Sequence, residues 1–272
     1  HQEARRQRQM CIRDSAVTMP GPGTTSHTLE SARSLAAITN TPLSEIPIDA
    51  AVAQHLRDLG HSGDPDVTFE NTQARERTQL LFDMANKIDG IVVGTGDLSE
   101  LAIGWCTYNA DHMANYNVNA SVPKTMMAYL VRWFATHRAD DALRNVLLRV
   151  LDTPITPELV PAEDGEIVQV TEDIVGPYEL HDFFLFHYLR TGAGVEKLLA
   201  IATIAFDGAY DREELKHWLG VFFRRFFAAQ FKRTTLPPGP KVGTVSLSPR
   251  GDWRMPDEAD ASAVLRAIDE LI

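Results

Sequence analysis

Gly94-Thr95-Gly96 runs directly into Asp97, Ser99 and Glu100, so two glycines, two hydroxyls and two carboxylates crowd one short stretch. Glycines on either side of a threonine let a ligand approach the backbone without meeting a Cβ. The apolar run before them, Ile91-Val92-Val93, has the character of a buried parallel strand. In an open α/β sheet, ligands bind beyond the carboxyl ends of the strands, where this cluster falls. Glu100 stands one turn past the loop, where a carboxylate can reach an oxygen-seeking cation that bridges phosphate oxygens. The same position suits an ordinary helix N-terminal acid that faces solvent or the macrodipole, and Asp97 is open to that plainer reading too. Lys124, in N-V-N-A-S-V-P-K-T, stands at the start of a helix, where its charge opposes the macrodipole; a bound anion would justify it.

The elements that must hold these residues follow from periodicity. Ala16 to Met19 reads as the end of a strand, followed by a turn at Pro20-Gly21-Pro22-Gly23. Ser26 to Asn40 carries the spacing of an amphipathic helix, with Ser26 as N-cap. Leu43 to Ile48 alternates as a strand. Asp49 to Leu59 starts on an acid and stops at Gly60, and a longer helix spans Asp66 to Ile88. This alternation predicts an α/β fold, a Rossmann-like parallel sheet flanked by helices. Pro123 to His137 is a helix whose apolar face is Met126, Met127, Leu130, Val131 and Phe134, with Pro123 in its first turn. Leu143 to Leu151 continues helical, and Thr153 to Pro161, with three prolines, must be irregular. Leu180 to Arg190, Val195 to Phe206, Asp211 to Gln230 and Asp257 to Ile272 form a helical C-terminal extension. The third of these carries Leu215, Trp218, Leu219, Phe222, Phe223, Phe226 and Phe227, a stripe that belongs to a core or a subunit interface rather than a cofactor box.

Composition narrows the function. The chain has 272 residues, 44% apolar and 23% charged, and a net charge of -11. That balance is ordinary for a globular protein and disfavours nucleic acid as a partner. The two cysteines, Cys11 and Cys106, imply neither a disulfide framework nor a cysteine-rich zinc site. No apolar run is long enough to span a membrane and no secretory leader is evident, so a reduced, cytoplasmic setting is expected. His1 to Ser15 holds four arginines and two acids, a net +2 that leaves -13 on the remainder. It reads as a disordered or non-native leader, with the folded domain running from 16 to 272.

With the residues in place, G-T-G-D-L-S-E-L-A-I-G-W resembles the signature of NAD synthetases, particularly the glutamine-dependent form. The resemblance implies ATP-dependent amidation of deamido-NAD through an adenylate, with ATP and Mg2+ required and ammonia supplied from glutamine by an upstream domain. It places the metal at Glu100, ATP contacts at Thr95, Lys124 and Thr156, and the catalytic roles at Lys124 and Glu100. Trp105 to Tyr108 is similar to the segment lining the deamido-NAD pocket, and an aromatic surface suits a pyridine ring. Asn71 and Arg77, in F-E-N-T-Q-A-R-E-R-T, resemble dinucleotide-contacting positions, as do Asp111 and Asn115. Phe231-Lys232-Arg233 is similar to a tail motif whose lysine, Lys232, contacts deamido-NAD in a site often shared with a neighbouring subunit, so a homo-oligomer is implied. Arg75 and Arg77 are two residues apart and point to different helix faces. Cys106 reads as a small buried residue, since no paired His and Asn accompany it.

Two parts of the family pattern are not found. There is no S-G-G-x-D-S phosphate loop, and Ser62-Gly63-Asp64 is no substitute because it follows a helix. There is no Glu-Lys-Cys constellation of an ammonia-releasing amidase either. The expectation is a C-terminal synthetase portion that keeps its recognition face but does not turn over by itself. Two other readings stay open: a fragment that only binds deamido-NAD or oligomerises, and another ATP-pyrophosphatase-type amide-forming enzyme such as GMP synthetase.

Overall fold

The computed structural model describes residues 14–153 and 171–271. Thr156 and most of the proline-rich stretch lie outside the described residues, as does nearly all of the basic leader. The chain forms two compact units, one gathering residues up to 73 with 131–153, the other 74–130 with 171–271.

In the first unit β1 (Ala16–Thr18) pairs in parallel with β2 (Leu43–Glu45), Val17 opposite Ser44. Between them α1 (Ser26–Ile38) is capped by Thr25, one residue before the expected Ser26, because the Thr25 hydroxyl accepts from the Thr28 amide at 3.2 Å. α2 (Asp49–Asp58) buries Val52 and Leu56, and the chain leaves it through Gly60 at φ 68. α3 (Val67–Lys87) starts where Asp66 accepts from the Thr68 and Phe69 amides at 2.8 and 3.0 Å.

The second unit holds β3 (Val93–Gly94), α4 (Leu98–Ile103) and β4 (Tyr116–Asn117), with β3 and β4 again parallel. Parallel pairing agrees with the sequence pattern, but each sheet is two-stranded. The run at Ile91 to Val93 is not a buried strand: Ile91 is 64% exposed and Val93 54%. Its only ladder partner among the described residues is β4, so neither apolar side chain is covered.

Two helices follow, α5 (Lys124–His137) and α6 (Asp141–Asp152). α5 departs from expectation in the same way. Met126, Leu130 and Phe134 are 44–48% exposed, and Ala135 is the residue it buries. Met127 and Val131, in line with Ala135, are half-buried, so only one edge of the expected apolar face is left to solvent. α6 is capped by Asp140, which accepts from the Leu143 amide at 2.9 Å, and packs against α1.

The C-terminal helices are α7 (Thr171–Val175), α8 (Tyr178–Thr191), α9 (Val195–Ala205), α10 (Arg212–Ala228), α11 (Gln230–Thr234) and α12 (Ser262–Asp269). The aromatic stripe is core: Leu215, Leu219, Phe222 and Phe226 are fully buried and Phe223 nearly so. They pack with Leu98, Leu101 and Ile103 of α4 and with Leu180, Phe184 and Leu185 of α8. Each such side chain contributes roughly 1.5–3 kcal/mol, which ties the short α4 to two long helices, α8 and α10. Among the described residues no helix is long and apolar enough to cross a membrane.

His181 of α8 sits in this core, 1% exposed, with Nε2 2.6 Å from the Val175 carbonyl. Burial lowers its pKa to about 4. The unfolded chain therefore binds this proton first as pH falls, so stability is intact above about pH 6.5 and is lost on the way down to pH 4. The loss from this one group is about 3 kcal/mol. Urea midpoints between pH 7 and 4 should fall more steeply for the unsubstituted chain than for His181→Phe, and equal slopes would refute the assignment.

Candidate functional site

The glycine loop delivers its carboxylates to the amino end of α4. Asp97 is the N-cap, its Oδ1 accepting from the Glu100 amide at 2.9 Å, while Glu100 Oε2 accepts from the Asp97 amide at 3.2 Å. This reciprocal capping box satisfies two orphan amides, and it gives Glu100 a structural duty beside any chemical one. Lys124 completes the cluster: its Nζ lies 2.7 Å from Asp97 Oδ2 and 2.8 Å from Glu100 Oε1.

The charge balance is uneven, with one ammonium against two carboxylates. Burial pushes the Glu100 carboxyl up to about 7, reinforced by Asp97 and opposed by Lys124. Burial works against the Lys124 charge, but Glu100 and Asp97 outweigh it and hold the ammonium above its ordinary range. The cluster thus favours an added cation. The described residues contain no group of three acids, histidines or cysteines able to hold a metal ion.

Lys124 is placed by its backbone. Pro123 precedes α5 and has no side-chain oxygen to cap it, so the cap comes from elsewhere in the chain. The Lys124 amide donates to Ser99 Oγ at 2.8 Å, and Ser99 in turn donates to Asp182 Oδ1. Asp182 Oδ2 accepts from the Thr125 amide at 3.2 Å and from its hydroxyl at 2.6 Å. A carboxylate at a helix amino end is stabilising. Sequence reasoning missed Asp182, although an acid beside the apolar run Phe183 to Phe186 is a usable signal. It also missed Tyr178, whose buried ring lies 5.1 Å from Lys124 Nζ. Burial first, then Glu100 and Asp97, hold its phenol well above the usual range.

The other end of α4 carries the aromatic segment. Gly104 caps the helix at φ 69, and the Trp105 amide donates to the Glu100 carbonyl at 3.0 Å. Trp105 is half-buried, with the Arg225 guanidinium 5.3 Å from its ring. Lys232 Nζ donates to the carbonyls of Gly104 and Cys106 at 2.7 and 2.6 Å, so it clamps this segment within the chain. Tyr108 is 41% exposed, its ring 5.3 Å from both His112 and Phe231. Cys106 is half-buried and its thiol is pushed up to about 12 by burial, which fits an inert residue.

The remaining predicted positions divide. Asp111 Oδ1 accepts from the Thr107 amide at 2.8 Å and so shapes the turn behind Tyr108. Asn115 is bonded to Val92 through both its side chain (2.8 Å) and its amide (3.0 Å), which extends the β3–β4 pair. Thr95 is exposed on the loop. Gly94 serves packing, since a Cβ there would come within 2.8 Å of Ala114. Arg77 is half-buried and Arg75 exposed, as their spacing requires; Asn71 is half-buried in α3, on the portion belonging to the first unit.

The chain matches the family model described as NAD synthase over residues 9–202. It is 44% identical to the glutamine-dependent NAD(+) synthetase of Mycobacterium tuberculosis, over 93% of this chain and 41% of that protein. The enzyme of the same name from Thermotoga maritima is 29% identical over 88% of this chain and 38% of its own length. The chain thus spans about two fifths of the curated relatives it matches. Among solved structures, a glutamine-dependent NAD(+) synthetase from Cytophaga hutchinsonii superposes with a TM-score of 0.74 at 19% identity, covering 94% of this chain and 41% of that one. An NH3-dependent NAD synthetase from Campylobacter jejuni gives 0.54 at 19% identity, covering 86% and 82%. These likenesses show a Rossmann-like α/β fold with helical additions. By its sequence the chain belongs to the NAD synthase family.

Proposed function

We propose that this chain provides the synthetase part of a glutamine-dependent NAD synthetase, forming NAD from deamido-NAD, ATP and ammonia. The observation that carries the reading is the Asp97–Glu100–Lys124 cluster where the glycine loop enters α4, with the aromatic segment Trp105 to Tyr108 following the other end of this short helix. In the first step an oxygen of the nicotinate carboxylate attacks the α-phosphorus of ATP and pyrophosphate departs. In the second, the ammonia nitrogen attacks the acyl-adenylate carbon, AMP leaves and a proton is lost. Lys124, aimed at the loop by Ser99 and Asp182, supplies positive charge for the departing phosphates. Thr95 and Thr156 would contact ATP. Magnesium, held through Glu100 and the phosphates, would neutralise charge as pyrophosphate forms.

Within the second unit, deamido-NAD is assigned to Trp105, Tyr108, Asp111, Asn115, Arg77, Lys232 and Glu100. Trp105 and Tyr108 offer ring faces for the pyridine. We infer a homo-oligomer, and the exposed α5 residues Met126, Tyr129, Leu130, Trp133 and Phe134, a stripe of the kind that marks interaction surfaces, support it. The glutamine-derived ammonia would come from a separate amidase domain, and the setting would be cytoplasmic.

Calorimetric titration of the chain with deamido-NAD and with Mg-ATP, beside an assay of AMP and NAD formation, tests the reading. The expected result is micromolar binding of deamido-NAD, about -8 kcal/mol, with little turnover. Absence of binding by both ligands would refute the proposal, and preference for a nucleobase substrate would move the chain to a different amide-forming enzyme.

A further inference from the structure

Arg233 is the bulkiest side chain fully withdrawn from water, at 0% exposure. No carboxylate forms an ion pair with it among the described residues. Burial pushes its guanidinium down to about 9, so it stays charged at neutral pH. An unpaired buried cation costs several kcal/mol unless hydrogen bonds compensate. The compensation here is specific. Nη1 donates to the carbonyls of Leu101 (3.2 Å) and Ala102 (2.9 Å), Nη2 to that of Phe226, and Nε to Gln230 Oε1 at 3.1 Å. The Phe226 ring lies under the guanidinium at 4.3 Å.

The Leu101 and Ala102 carbonyls belong to the last turn of α4, where they have no acceptor duty within the helix and where the macrodipole is negative. At six residues α4 cannot hold itself together. Its amino end is fixed by the capping box, and its carboxyl end is gripped by Arg233. An apolar side chain of similar volume would fill the space without the desolvation cost, so the charge is used to fix a position. The residues that leave this gripped end are Gly104, Trp105 and Cys106, and neighbouring Lys232 holds two of their carbonyls.

We propose that Arg233 is a positioning residue, fixing the carboxyl end of α4 and thereby the seat of Trp105. The inference rests on the proposed function only in its last step, that a correctly seated Trp105 serves deamido-NAD binding.

The test uses the full chain with Arg233→Met and Arg233→Lys. Trp105 emission is isolated as the difference from Trp105→Phe, and it is read with acrylamide quenching, thermal midpoint and the dissociation constants of deamido-NAD and Mg-ATP. In folded Arg233→Met, Trp105 quenching should rise at least twofold and deamido-NAD affinity fall about tenfold. Mg-ATP affinity should stay within about twofold, since Thr95 and Lys124 lie at the opposite end of α4. Arg233→Lys keeps the charge but cannot span three carbonyls, and should shift Trp105 part of the way; it decides the question if the methionine variant does not fold. A folded variant with a lowered midpoint, unchanged Trp105 quenching and unchanged affinities would make Arg233 merely structural and overturn the inference. Should the unsubstituted chain bind no deamido-NAD, the functional reading falls, and the quenching result still decides the role of Arg233.

Discussion

Lys124→Met is expected to destabilise the chain by about 3 kcal/mol and to weaken Mg-ATP binding more than tenfold. The stability loss comes from what the lysine leaves behind. Asp97 is 2% exposed and Glu100 about a quarter exposed, and both carboxylates point at one ammonium. Without it, Asp97 and Glu100 share a site that water reaches poorly, so Glu100 is driven to take up a proton, and neither side chain can turn away without breaking the capping box that starts α4. Methionine fills the volume, so packing is not the cause. A second substitution separates the contributions. Glu100→Gln keeps the capping box, because glutamine serves at that position, and removes the carboxyl that burial and Asp97 disfavour in its charged form. In the Lys124→Met background it should recover about half of the lost stability while leaving Mg-ATP binding weak. Urea unfolding gives the first quantity and calorimetry the second. If Glu100→Gln lowers stability as much with Lys124 absent as with it present, the three charges are not coupled and the site has been misread.

The parts of this site that the sequence disclosed are those set by local rules. Gly94 to Glu100 announces a loop entering a helix, and the strand–helix alternation before it announces parallel pairing. The long C-terminal stripe announces a core, because Leu215, Leu219, Phe222 and Phe226 recur at helical spacing. What stayed hidden depends on distant partners. Asp182 lies 83 residues from Ser99 and Lys232 128 from Gly104 in the chain, and no periodicity links them. The buried strand at Ile91 and the core face of α5 failed for a related reason. An apolar pattern states that a side chain gains by leaving water, but not whether a neighbour is there to cover it. Lys124 stands out through the family resemblance of its segment, and its charge against the helix dipole is a local anomaly that supports the reading. Its resolution by Asp97 and Glu100 within the fold shows that such an anomaly marks electrostatic compensation, which a phosphate would then have to share.

Gly104→Ala should destabilise the chain by roughly 3 kcal/mol. Two separable causes act there. The backbone stands at φ 69, a left-handed conformation that costs an L-residue roughly 1–2 kcal/mol. A Cβ would also come within 2.5 Å of the Ala229 Cβ and 3.5 Å of its Cα. Ala229 is 4% exposed and links α10 to α11, so it cannot yield without disturbing Lys232 and Arg233 just beyond it. Ala229→Gly in the same chain removes the collision but not the strained backbone. The double variant should therefore regain the overpacking share and remain about 1 kcal/mol below the unsubstituted chain. Urea midpoints of the two single variants and the double one measure this directly. If Ala229→Gly recovers nothing, the cost is entirely backbone strain, and the close approach of α4 to α11 is not what requires glycine at this position. If it recovers everything, the left-handed cap carries no strain, and the aromatic segment is held only by contacts further along the chain.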